Sequence, residues 1–156
     1  MVAVSLKKKA SRLDEAIRRH GKRRSPELSL LQHAMAKVAS AAGDDEAIFA
    51  WLEAALYSDR QNGAVASELA TLAMTRGDFD VAIKALQLVT LLKNPGPMSR
   101  AEAYLRQAAI AKHRGDIKKS ALLAKRAITT EPDYQEAKTF LDELQVSGDS
   151  LIPETE

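Results

Sequence analysis

Residues 74–83 read MTRGDFDVAI, and residues 113–122 read HRGDIKKSAL. Both hold Arg-Gly-Asp followed by a bulky apolar residue, and their glycines, Gly77 and Gly115, lie 38 positions apart. A third Gly-Asp at 43–44 precedes Gly77 by 34 positions, and a fourth falls at 148–149. Upstream of the first three glycines stand Met35, Ala36 and Ala39, then Leu69, Ala70 and Ala73, then Ala108 and Ala111. Downstream stand Ala47, Trp51 and Ala54, then Ala82, Leu86 and Val89, then Ser120, Ala124 and Ala127. Spacings of three and four put each set on one face of a helix. The spacing therefore predicts helix, glycine turn, helix, three times over, with the first turn one residue shorter so that Ala47, Trp51 and Ala54 fall into register.

The breaks between these units are legible too. Pro132 in TEPD (130–133) cannot continue a helix and pushes Glu131 out of the helical region. KNPGP (93–97) ends the preceding unit, and SDRQNG (58–63) ends the first without a proline. A left-handed angle costs glycine nothing, and Asp78 and Asp116 are suited to receive the free N–H groups of the next helix. Ala and Leu dominate, aromatics are only 4%, and strands want the opposite mixture, so the expectation is an all-α chain.

In these positions the chain resembles the tetratricopeptide repeat family, whose unit is 34 residues long. The third unit (101–134) carries Tyr104, Ala108, Gly115, Ile117, Ala127 and Pro132 at family positions, with Gln107 where Leu is usual. The second (63–96) carries Leu69, Ala70, Gly77, Phe79, Ala82 and Leu86, its proline one place late at Pro95. Residues 97–100 read as an insertion, 29–62 as the least regular unit, and 135–145 as a capping helix. The resemblance implies a right-handed superhelical α-solenoid of about three such repeats, over residues 26–145, because one unit cannot bury its apolar face alone. Trp51, Leu86, Phe79 and Ile117 are expected to fill the space between units.

Composition removes several functions. There is no cysteine, so disulfides, thiolate metal sites and thiol nucleophiles are excluded. The opening stretch lacks the apolar run of a signal peptide, and no window is long and apolar enough to span a bilayer. The expectation is a cytoplasmic protein without cofactor or metal, in which Arg-Gly-Asp is a repeat turn and not an adhesion ligand. His20, His33 and His113 fall in separate segments without ligand spacing, and no phosphate loop or nucleophile motif occurs. The chain reads as non-catalytic.

Charge is uneven. Residues 1–24 hold Lys7, Lys8, Lys9, Arg12, Arg18, Arg19, Lys22, Arg23 and Arg24 against Asp14 and Glu15, while the remainder is net acidic. Leu6, Ala10, Leu13 and Ile17 form a thin apolar stripe there, so residues 1–25 read as a basic helix or arm that caps the repeats or meets an acidic partner. Nucleic acid is disfavoured, since no aromatic residue is interleaved to stack on bases. Residues 146–156 read as an acidic flexible tail.

The resemblance also implies where a partner would lie, because family members hold a peptide or partner helix on the face built by the first helices of successive repeats. Carried across, these positions are Leu30, His33, Lys37 and Ser40; Ser67, Glu68, Thr71, Met74 and Thr75; and Glu102, Leu105, Arg106, Ala109, Lys112 and His113. Only Arg106 suits the carboxylate clamp of the chaperone-binding subfamily, and Glu68 would repel a carboxylate. The expected function is a protein-interaction adaptor or scaffold that binds an amphipathic segment. The alternatives are a binder of nucleic acid or of an anionic surface acting through residues 7–24, or a secretion-type chaperone.

Overall fold

In the computed structural model, which describes residues 2–150, Gly43, Gly77 and Gly115 all take left-handed angles, with φ of 72°, 79° and 81°. A Cβ at any of the three would meet nothing within 4 Å, so the backbone angle and not crowding calls for glycine. The hydrogen bonds around them repeat as well. The glycine N–H groups donate to the carbonyls of Ser40, Met74 and Lys112 at 3.1, 3.1 and 3.0 Å. The following aspartate N–H groups donate to Ala39, Ala73 and Ala111 at 2.9, 2.8 and 2.9 Å. That pair of bonds is the Schellman closure of a helix end.

Eight helices occur among the described residues: α1 (Val2–His20), α2 (Pro26–Ala41), α3 (Asp45–Ser58), α4 (Gly63–Arg76), α5 (Phe79–Leu91), α6 (Arg100–His113), α7 (Ile117–Thr130) and α8 (Gln135–Ser150). The glycine turns join α2 to α3, α4 to α5 and α6 to α7, and within these pairs the helices pack most extensively. Each helix then packs on its neighbour in sequence, from α1 on α2 to α7 on α8. The architecture is all-α and repeat-like.

Caps fix where the helices start. Asp44 and Asp116 accept from the N–H of Ala47 and Lys119, both at 3.1 Å, while Ser25, Asn62 and Ser99 cap α2, α4 and α6. Asp78 departs from expectation. Its carboxylate lies 3.4 Å from Arg76 and makes no capping bond to α5.

The first unit differs from its predicted register. α3 begins two residues past Gly43, as α5 and α7 do past Gly77 and Gly115, so its turn is not shortened. Ile48, Leu52 and Ala55 therefore stand where Ala82, Leu86 and Val89 stand in the second unit. Leu52 is fully buried, whereas Trp51 is half-buried at the edge of the core. Phe79 and Ile117 are also half-buried, and Leu86 alone of the expected fillers is fully enclosed.

One main core runs from Ala36 of α2 to Ile110 of α6, and a smaller cluster of Ala108, Ala111, Leu123 and Ala124 carries Phe140 and Leu141 of α8. Alanine makes up half of the main core and most of the smaller cluster, which lets the helices approach closely. Buried hydroxyls are partnered: Ser29 donates to Ala55 O and Ser120 to Ala108 O, both at 2.7 Å.

The extra residues between α5 and α6 fold back over the start of α4. A Cβ on Gly63 would fall 1.9 Å from the carbonyl oxygen of Pro95, and Met98 of the same loop is buried. At the C-terminus α8 runs past the expected end of the cap, so residues 146–150 are helix rather than loose tail. Residues 151–156 lie outside the described residues.

Candidate partner-binding face

α2, α4 and α6 are the first helices of the three units, and between them lies an open cleft of about 550 Å³. Its floor is apolar, from Ile48, Leu52, Leu72 and Met98, and its rim is polar. Ser67, Thr71 and Thr75 line it at helical spacing along α4. Each hydroxyl donates to the carbonyl four residues earlier, at 2.7, 3.0 and 3.0 Å. A hydroxyl that spends its proton in this way still offers lone pairs to an incoming N–H.

Polar ties cross this face from unit to unit. His33 of α2 meets Glu68 of α4 at 2.9 Å. Arg106 of α6 donates to Thr71 of α4 at 2.8 Å and to Glu102 at 2.7 and 3.1 Å. Arg106 is thereby held in place by its own protein, and Glu102 offsets its charge. Glu102 also acts at a distance. Burial, then the charges of Glu136 and Glu102, push the Tyr134 phenol up to about 12.

The expected binding residues divide into three groups. Ser67, Thr71, Glu102 and Arg106 line the cleft together with Ser40, Glu68 and Thr75. His33 is buried and meets Glu68, which ties α2 to α4. Leu30, Lys37, Met74, Leu105, Ala109, Lys112 and His113 do not line the cleft. Of these, Leu30 and Lys37 are exposed on α2, Met74 packs on the main core, and Leu105 and Ala109 are half-buried on α6. Lys112 lies over the Phe140 ring at 5.5 Å, and the His113 ring lies 5.0 Å from that of Phe79, tilted by 60°.

The basic segment also divides. Lys7, Lys8, Lys9, Arg12, Arg18 and Arg19 are exposed on α1, while Leu6, Ala10, Leu13 and Ile17 are half-buried. Arg19 pairs with Glu15 at 2.6 Å. Beyond the helix, Lys22, Arg23 and Arg24 are exposed, and Arg24 lies over the Tyr57 ring of α3 at 4.1 Å.

The arginine of each Arg-Gly-Asp has a structural task that the sequence reading passes over. Arg76 reaches Glu46 at 3.2 Å, and Arg114 reaches Asp80 at 2.9 Å. Each acid lies three residues past the glycine of the preceding unit, so both arginines tie one unit to the one before it. Gly43, with no such unit before it, is preceded by Ala42. The matching spacing of Arg and acid was the signal for this tie.

Among the described residues no group of three or more His, Asp or Glu side chains is arranged to hold a metal ion. No helix among them is long and apolar enough to cross a membrane. No protein-family model matches the chain, and no curated protein is similar to it.

Proposed function

We propose that the chain is a tetratricopeptide-like scaffold that binds an extended or helical segment of a partner protein in the cleft between α2, α4 and α6. The observation that carries this reading is the cleft itself. It combines an apolar floor with a row of hydroxyl acceptors on α4, which suits a segment with apolar side chains and free backbone or side-chain N–H groups. The recurring glycine turns and unit-to-unit ties supply a rigid support, and repeated units stacked in order build a solenoid. The test is capture of partners from native lysate by wild type, by Thr75→Trp, which fills the cleft, and by Leu91→Glu, which lies outside it. The account expects the captured set to be lost with Thr75→Trp and kept with Leu91→Glu. An identical set from all three proteins would remove the cleft as the binding face.

The exposed basic face of α1 favours a second reading, adhesion to an anionic partner. Binding through α1 would weaken steeply with salt, because neutralised phosphates release counterions. Binding in the cleft would be far less sensitive. A salt series on wild type and on a Lys7/Lys8/Lys9/Arg12→Gln variant separates the two.

A further inference from the structure

α1 packs on α2, and α8 packs on α7. Leu6, Leu13 and Ile17 mark the inner face of α1, and Ala137, Phe140 and Leu144 that of α8. Helical spacing puts Val4, Lys8 and Ser11 on the opposite face of α1, and Thr139, Asp142 and Val146 on that of α8. All six are exposed, including both valines, at 59% and 70%.

The two outer faces differ in sign. The exposed side chains of α1 include six cations against Asp14 and Glu15. Those described on α8 include Glu136, Asp142 and Glu143 against Lys138. Lys8, Arg12, Asp142 and Glu143 enter no ion pair among the described residues. The arginine tie between units stops here too. Ala42 stands where Arg76 and Arg114 stand, and Lys118 where Glu46 and Asp80 stand. A capping helix needs only a polar outer face. Opposite charge at the two ends, each with an exposed valine, is more than capping asks.

We propose that the outer face of α1 in one copy docks antiparallel on the outer face of α8 in a second copy. The antiparallel register sets Val4 on Val146, Lys8 on Asp142 and Ser11 on Thr139. Helical geometry then brings Arg12 beside Glu136 and Asp14 beside Lys138, so charges of opposite sign meet along both flanks. Such a contact joins different surfaces of the two copies, so it either closes into a mutual pair or extends as a chain. Solvated ion pairs and one small apolar contact make the association weak and sensitive to salt. The proposal rests on the reading of α1 as an anion-binding face and is independent of the cleft.

The test is sedimentation velocity of the full-length protein, from about 10 μM to 1 mM, in about 0.02 M and about 0.5 M salt. At low salt the weight-average mass should rise above that of one chain as concentration rises, and at high salt the association should weaken at least tenfold. Lys8→Glu/Arg12→Glu makes the α1 face acidic, and Glu136→Lys/Asp142→Lys makes the α8 face basic. Each variant alone should stay monomeric, because its two ends now carry the same sign. An equal mixture of the two should associate again, since each supplies the end that the other lacks. A wild type that stays monomeric would overturn the proposal, as would self-association by either variant alone or a mixture that fails to associate. Retention on heparin by a monomeric wild type would keep α1 as an anion-binding face and remove the second copy as its partner.

Discussion

The seam between the first and second units and the seam between the second and third are built on one frame and lined with different chemistry. In the frame, Arg76–Glu46 and Arg114–Asp80 occupy equivalent places, as do the glycine turns beside them. In the lining, the first seam offers a crevice of about 450 Å³ with Leu69, Val81 and Ala85 in it. The second offers about 280 Å³ with Gln107, Lys119 and Leu123 at the same three repeat positions. The difference separates two kinds of position. Those that set backbone angle and unit spacing recur, and those that face a crevice are free to differ, so the search for ligand chemistry belongs among the latter.

The largest expected effect tests the frame. Leu86 is fully buried in the main core, and Leu123 is buried beside the second-seam pocket. Leu86→Ala should cost about 2–5 kcal/mol in urea unfolding, and Leu123→Ala less, because its neighbourhood already contains open space. Equal losses would remove the packing contrast between the seams. Next comes the loop after α5, which folds back over the start of α4. Gly63→Ala forces a methyl group against the Pro95 carbonyl, at an expected cost of about 1–3 kcal/mol. An unchanged melting temperature would show that this loop is not held against α4.

The ties should matter least to stability. Both acids are largely solvent-exposed, at 85% and 86%, so double-mutant cycles are expected to give coupling of about 0.2–1 kcal/mol per pair. Arg76→Ala should cost more than Arg114→Ala, since Arg76 lies 4.2 Å from the Phe49 ring and Arg114 lies 5.9 Å from Phe79. The reverse order would mean that the aromatic contact contributes nothing. The smallest effect lies at the exit of the third unit. With its pKa raised from 10 to about 12, Tyr134 favours folding below pH 10, and that contribution disappears as pH rises through 12. Absorbance titration should show a late phenol ionisation, and Tyr134→Phe should abolish it.

Much of the frame is legible in the residues themselves. Glycine followed by aspartate marks each turn because only one residue type takes the angle freely and a short acid suits the next helix start. The small-residue faces of α2, α4 and α6 are legible because buried alanine recurs at helical spacing. The first unit misleads because Trp51 attracts the core assignment by size, whereas an uninterrupted turn brings Leu52 inward instead. The tie between His33 and Glu68 is not legible, because helical spacing shows the face of each residue but not that the two lie within reach of each other. Gln107 is visible as a polar residue in an apolar position, yet only packing reveals that its amide has no partner.

The exchange Leu69→Gln and Gln107→Leu, each measured by urea unfolding of otherwise wild-type protein, tests the contrast between the seams most directly. The account predicts that Leu69→Gln destabilises by about 1–3 kcal/mol, since it buries an unpaired amide in an apolar seam. Gln107→Leu removes such an amide and is predicted to leave stability equal to or above that of the wild type. A Gln107→Leu protein destabilised as much as Leu69→Gln would show that Gln107 already satisfies its hydrogen bonds, and the two seams would then not differ in the way described.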